Sequence, residues 1–133
     1  MGADRVSYLD SSAIVKLVVH EQESQALRTY LRRRRPIVSS ALARVEVTRA
    51  VLPLGPRAAK RAEDVLRSID LIRVNTRVLA TAGTLEPHEL RTPDAIHLAT
   101  AALLGNSMAR IVCYDDRLTK AAQTLGWKVD SPN

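Results

Sequence analysis

The sequence predicts an α/β fold built on a short, mostly parallel central sheet of four to five strands flanked by helices. Short apolar runs alternate along the chain with amphipathic stretches at helical spacing, the pattern of βαβ units covered on both faces. Two of those runs, 6–9 and 111–114, stop directly on an aspartate, Asp10 and Asp115. Aromatics are scarce, with one Trp, three Tyr and no Phe, so the core has to be aliphatic.

Residues 6–9 read as the first strand and 11–19 as a helix directly after it. A second helix over 21–34 places Ala26, Leu27, Tyr30 and Leu31 on one face, and Pro36 closes it. Residues 37–39 form a short strand before a helix over 40–52, and Pro53, Gly55 and Pro56 then punctuate the chain. An amphipathic helix over 57–69 leads into a third strand at 71–74. The stretch 76–84 is helical and is followed by a polar loop around Pro87. Residues 93–104 are apolar nearly all round, which predicts a buried helix. Gly105 ends it. The fourth strand spans 111–114, a helix over 117–125 is stopped by Gly126, and 127–129 suits an edge strand.

At 133 residues the chain reads as one domain, 1–133, long enough to bury a core without disulfides or structural metals. Its 46% hydrophobic and 26% charged residues are ordinary for a soluble protein. The single cysteine, Cys113, lies in an apolar run and excludes a disulfide framework or a cysteine-rich metal site. No stretch approaches the ~18 apolar residues of a membrane span, and no apolar leader precedes the first strand. The expected location is the cytoplasm. The net charge of +6 comes chiefly from arginine, whose planar fork suits phosphate, so a polyanionic partner competes with a merely solubilising surface. The run Arg32-Arg33-Arg34-Arg35 carries the same two readings.

In open parallel sheets ligands bind beyond the carboxyl ends of the strands, so Asp10 and Asp115 should share a crevice. Glu46 and Asp94 join them as acids set in apolar helices, whereas Glu21, Glu23, Glu63, Asp64, Glu86 and Glu89 lie in polar stretches. Each of the four has another reading. Asp10 and Asp115 could cap the helices that follow. Asp94, just after Pro93, could complement a helix dipole, and Glu46 could pair with Arg49 one turn on. Against these stands the cost of placing carboxylates beside core surface unless a cation compensates them. Mg²⁺ or Mn²⁺ would do so with the oxygen ligands such hard ions prefer.

The ordered segments Tyr8-Leu9-Asp10-Ser11-Ser12-Ala13, Ala43-Arg44-Val45-Glu46-Val47, Arg91-Thr92-Pro93-Asp94-Ala95-Ile96-His97-Leu98-Ala99 and Tyr114-Asp115-Asp116-Arg117-Leu118 closely resemble the PIN-domain pattern. More narrowly they resemble the VapC toxins of bacterial type II toxin–antitoxin pairs, over nearly the whole chain. The resemblance implies a PIN-like three-layer sandwich and a metal-dependent endoribonuclease. Asp10, Glu46, Asp94 and Asp115 would be its acids, holding one or two Mg²⁺ or Mn²⁺ ions per site. It also implies a homodimer and a cognate VapB-like antitoxin. Asp116 competes with Asp115 for the fourth place. Ser12 is similar to a family position near the metal, Arg117 is placed to meet substrate phosphate, and Ser11 and Ser12 also suit helix capping. Thr92 is expected to cap its own helix. His97, three residues after Asp94, lies near the cleft or in the core and is not read as a ligand.

Two other functions compete. A haloacid-dehalogenase-like phosphatase would use Asp10 as a nucleophile, but such enzymes resemble Asp-x-Asp and here the third position is Ser12. A non-catalytic nucleic-acid-binding module would explain the charge but not the acids. The absence of a Gly-x-x-x-x-Gly-Lys motif excludes nucleotide hydrolysis of the P-loop kind.

Overall fold

The computed structural model describes residues 5–133. Five strands form one sheet in the order β3-β2-β1-β4-β5, and every neighbouring pair is parallel. They are β1 Val6–Leu9, β2 Ile37–Ser40, β3 Asp70–Ile72, β4 Met108–Val112 and β5 Val129–Asp130. The helices between them are α1 Ser11–Val18, α2 Ser24–Leu31, α3 Ala43–Val51, α4 Pro56–Arg67, α5 Thr76–Gly83, α6 Thr92–Ala102 and α7 Asp116–Thr124. This is the three-layer α/β sandwich that the alternation of runs and helices predicts.

The strict alternation of side chains along a strand divides the core in two. Leu9, Ile37 and Val112 point to one face and pack with Ile14, Val18, Leu27, Val47, Val51 and Leu66 of α1–α4. Val6, Tyr8, Val38 and Ile111 point to the other and pack with Leu98 of α6 and Leu118 and Ala122 of α7. All four residues of β1 are buried, as expected of the strand at the centre of a sheet covered on both sides. The helix expected to be buried is α6, whose residues from Ala95 to Ala101 are almost continuously buried.

Several boundaries differ from the sequence reading. β4 begins at Met108 and ends at Val112, so Asp115 stands beyond the strand rather than at its end. The shift arises because Arg110 belongs to the strand, its guanidinium Nη1 donating to Ser7 Oγ across the β1–β4 pair at 2.8 Å. A charged residue in a strand hides the strand from a search for apolar runs. β3 starts one residue early, and α2 begins at Ser24 because Glu21 and Glu23 turn back to bind Lys16 at 3.1 and 2.8 Å. After α3, Leu52–Leu54 tighten into a 3₁₀ turn, and Gly55 at φ 94° lets the chain reverse into α4. No helix among the described residues is long and apolar enough to cross a membrane.

Candidate functional site

Asp10 directly follows the central strand, and its backbone N–H donates to Val112 O at 3.3 Å, stitching the β1 exit to β4. Its side chain is 4% exposed and fully engaged. Oδ1 accepts from the Ala13 N–H at 3.1 Å and so caps α1. Ser12 Oγ lies 2.7 and 2.9 Å from the two carboxylate oxygens, and Cys113 Sγ–H donates to Oδ2 at 3.3 Å. Ser12 in turn accepts the Tyr114 N–H at 3.0 Å, so one hydroxyl joins Asp10 to the chain leaving β4. Burial pushes the Asp10 carboxyl above its ordinary range, opposed by Ser12, His97, the Ala13 N–H and Cys113.

Glu46, half-buried on α3, accepts from Ser11 Oγ at 2.6 Å and from His97 Nε2 at 2.7 Å, both on Oε1. His97 is 3% exposed, and its other ring nitrogen, Nδ1, lies 2.8 Å from the hydroxyl of buried Tyr8. A carboxylate can only accept, so Nε2 donates to Glu46, while Nδ1 and the Tyr8 hydroxyl share the second hydrogen bond of the ring. Burial pushes Glu46 up, but the hydrogen bonds from His97 and Ser11 outweigh it and hold the carboxyl below its usual range.

Asp94 lies in the first turn of α6 beside Pro93. Burial raises its carboxyl, and the charges of Asp115, Asp10 and Glu46 raise it further while His97 opposes them. Asp10, Glu46 and Asp115 therefore all lie within electrostatic reach of Asp94. Asp115 caps α7, its Oδ1 accepting from the Leu118 N–H at 3.1 Å, and Asp116 is the first residue of that helix. An open cleft of about 580 Å³ is lined by Glu46, Arg91, Pro93, Asp94, Asp115, Asp116 and Arg117. Asp10 forms none of this lining and lies buried beneath it.

The structure thus brings Glu46, Asp94 and Asp115 into one cleft together with Asp116 and Arg117, while Asp10, bound by Ser12, is buried outside its lining. Among the described residues, no three His, Cys, Asp or Glu side chains stand close enough to form a preformed metal cage. Three of the four carboxylates instead rest on protein donors: Asp10 and Asp115 on helix N–H groups, Glu46 on Ser11 and His97. The donor set is entirely carboxylate oxygen, which suits a hard divalent cation and not a thiophilic one.

Some expectations are corrected. Ser11 and Ser12 do not cap α1; Asp10 does, and the two serines bind acids instead. Thr92 is not the cap of α6, since Arg91 occupies that position without a side-chain cap bond. Glu46 pairs with His97 rather than with Arg49. Val45 and Ala50 beside it are exposed, so the apolar setting read around Glu46 is partly wet surface. The run from Arg32 to Arg35 enters β2 from its amino end, where Pro36 O accepts the Ser7 N–H, at the end of the strands opposite the acids. Arg34 there stacks over Tyr30, its guanidinium 3.9 Å from the ring centre.

Three contributors escaped the sequence reading: Tyr8 as the hydroxyl partner of His97, His97 as the donor to Glu46, and Arg91 on the cleft wall. A buried Tyr needs a partner for its hydroxyl, and Tyr8 shares a strand face with Asp10, two residues on. That pairing, with Asp94 and His97 three apart on α6, was the available signal.

A family model described as PIN domain matches residues 7–124. The sequence is 60% identical over 126 residues to Ribonuclease VapC46 of Mycobacterium tuberculosis, covering 95% of this chain and 97% of that one. A toxin–antitoxin complex from Klebsiella pneumoniae shares the fold at a TM-score of 0.73 and 20% identity, over 96% of this chain and 98% of its own. The M. tuberculosis VapC20 toxin, described as cleaving the sarcin–ricin loop, does so at 0.71 and 15% identity, over 86% and 94%. An all-parallel three-layer sandwich with acids at the strand exits defines the class, and the chain belongs to the PIN-domain family. Within that family it is of the VapC type.

Proposed function

We propose that this protein is a divalent-metal-dependent endoribonuclease that hydrolyses RNA phosphodiester bonds, with residues 1–133 acting as one nuclease domain. In a cell it would be the cytoplasmic toxin of a VapBC-type pair, restrained by a VapB-like antitoxin. The observation that carries this is the cleft lined by Glu46, Asp94, Asp115 and Asp116, where burial first and then the charges of Asp115, Asp10 and Glu46 push the Asp94 carboxyl up. Mg²⁺ or Mn²⁺, one or two ions, would be held by Asp10, Glu46, Asp94 and Asp115, and when bound would lower the pKa of a water and steady the leaving oxygen.

The chain's own residues do the rest. Ser12 and the α1 N–H groups fix Asp10, and Ser11 and His97 fix one oxygen of Glu46, leaving Oε2 for the cleft. Arg91 and Arg117 on the cleft wall meet the phosphates flanking the scissile bond. Asp116 is the alternative to Asp115 as fourth acid, but only Asp115 is among the charges that raise Asp94. Asp10 is a poor nucleophile, since both its oxygens are bonded and buried, which counts against a phosphatase of the phosphoaspartate kind. Val45, Leu52 and Leu54, each more than half exposed on α3 and the turn after it, offer apolar surface for a homodimer.

The test is RNA cleavage with Mn²⁺ or Mg²⁺, with EDTA, and with Asp10→Asn and Asp94→Asn. Cleavage that needs the ion and falls by about 100-fold or more in both variants is expected. Cleavage indifferent to chelator, or undiminished in both variants, would sink the reading.

A further inference from the structure

Beside the acid cleft lies a second cavity, of about 400 Å³, between the loop carrying Pro87, Glu89 and Leu90 and the outer face of α7. Arg91, Asp94 and Arg117 line both cavities, so the two are continuous. Their linings differ in kind. The cleft is walled by charged groups, whereas the wall of the second cavity is largely apolar, with Pro87, Leu90 and Ala121 set among Glu89, Arg91, Asp94, Arg117 and Lys120.

We propose that this pocket receives a single unpaired nucleobase next to the scissile phosphate and so sets which RNA sequence is cut. The inference rests on the nuclease reading above and adds a recognition site to it. The chemistry of the pocket matches such a ligand. Its volume and largely apolar wall are those of a small-molecule site. Three cations, Arg91, Arg117 and Lys120, stand in its wall, within reach of the phosphates attached to a base held there. Unpaired bases stack on arginine planes as well as on aromatic rings, which suits a protein poor in aromatics. Glu89 in the wall can only accept hydrogen bonds while ionised, which favours a base presenting an amino group, cytosine above all. A protein side chain entering the same pocket would have no use for the cations continuous with the acids.

The decisive variants fill the pocket from its exposed rim. Thr124 is exposed on α7 and bonds only to Lys120 O, at 2.9 Å, so Thr124→Trp can occupy the pocket without disturbing the core. Glu89→Gln tests the base edge. Cut sites on a pool of unstructured oligoribonucleotides are sequenced in Mn²⁺ for wild type and both variants. Binding of one labelled oligoribonucleotide is measured in an Asp10→Asn background, where cleavage does not interfere. Thr124→Trp is expected to weaken binding by about tenfold and to flatten the base preference at one position, while the Mn²⁺-induced rise in Tm is unchanged. Glu89→Gln should shift the preference at that same position.

Unchanged cut sites and affinity in Thr124→Trp would overturn the proposal, as would loss of antitoxin binding with RNA cleavage intact. If wild type cleaves no RNA, the nuclease reading fails by itself. The binding arm then decides the pocket: weaker RNA binding in the filled variant supports it, and equal binding overturns it.

Discussion

Asp94 is the acid whose carboxylate is supported least by protein donors, and its behaviour should be the easiest to isolate. Its carboxyl is raised by burial and by its neighbours. A raised acid destabilises the folded chain fully above its folded pKa, and the effect vanishes as pH falls below the ordinary carboxylate value. In EDTA, Asp94→Asn should therefore melt above wild type at neutral pH, with the two Tm values converging in acid. With Mn²⁺ the order should reverse, since the variant loses most of the stabilisation the ion gives. A metal-free variant that melts below wild type at pH 7 would contradict this. Glu46 has the opposite sign. Its lowered carboxyl supplies stability above the ordinary carboxylate value, and that stability is lost as pH falls through the folded pKa. His97→Leu removes the strongest support for this and should weaken Mn²⁺ binding by about 10–100-fold in calorimetry. His97→Gln, whose amide can still donate to Oε1, should recover part of the loss.

At the level of elements, two acids serve their helices as well as the cleft. Asp10 caps α1 and Asp115 caps α7. Asn caps a helix nearly as well as Asp, so Asp115→Asn separates charge from capping, whereas Asp115→Ala removes both. Urea unfolding should find Asp115→Ala less stable by about 1 kcal/mol and Asp115→Asn close to wild type, with cleavage impaired in each. The helix and strand pattern was legible because buried parallel strands read as apolar runs and the acids stand in spaced motifs. What was not legible has physical causes. β4 was placed late because Arg110 lies inside it, bonded to Ser7. Asp10 and the two serines all suited the cap of α1, and only the tertiary contacts of Ser11 with Glu46 and of Ser12 with Asp10 and Tyr114 assign it to Asp10. The Tyr8–His97–Glu46 chain joins residues 89 and 51 positions apart, a distance no local pattern spans.

For the whole molecule, net charge and exposed apolar surface make separate predictions. Under the proposed function the arginines that meet phosphate should make RNA affinity salt-dependent, log K falling linearly with log salt. Arg91→Ala or Arg117→Ala should lower that slope by about 1, whereas Arg33→Ala, at the end of the strands opposite the acids, should leave it nearly unchanged. Light scattering should report a dimer that Leu52→Glu with Leu54→Glu converts to a monomer. A wild type that is monomeric at micromolar concentration would refute the dimer.

The order of strands in the sheet also fixes when activity can begin. β1 lies at the centre, and its partner on one side, β4, is more than 95 residues further along, from Met108 to Val112. Asp10 is synthesised long before Val112, Cys113 and Tyr114, yet its buried setting requires all three. Asp115 follows immediately. A nascent chain that has not yet reached Tyr114 has no assembled acid cluster. Such long-range pairing is slow to form, so synthesis passes Asp115 before the acids can come together.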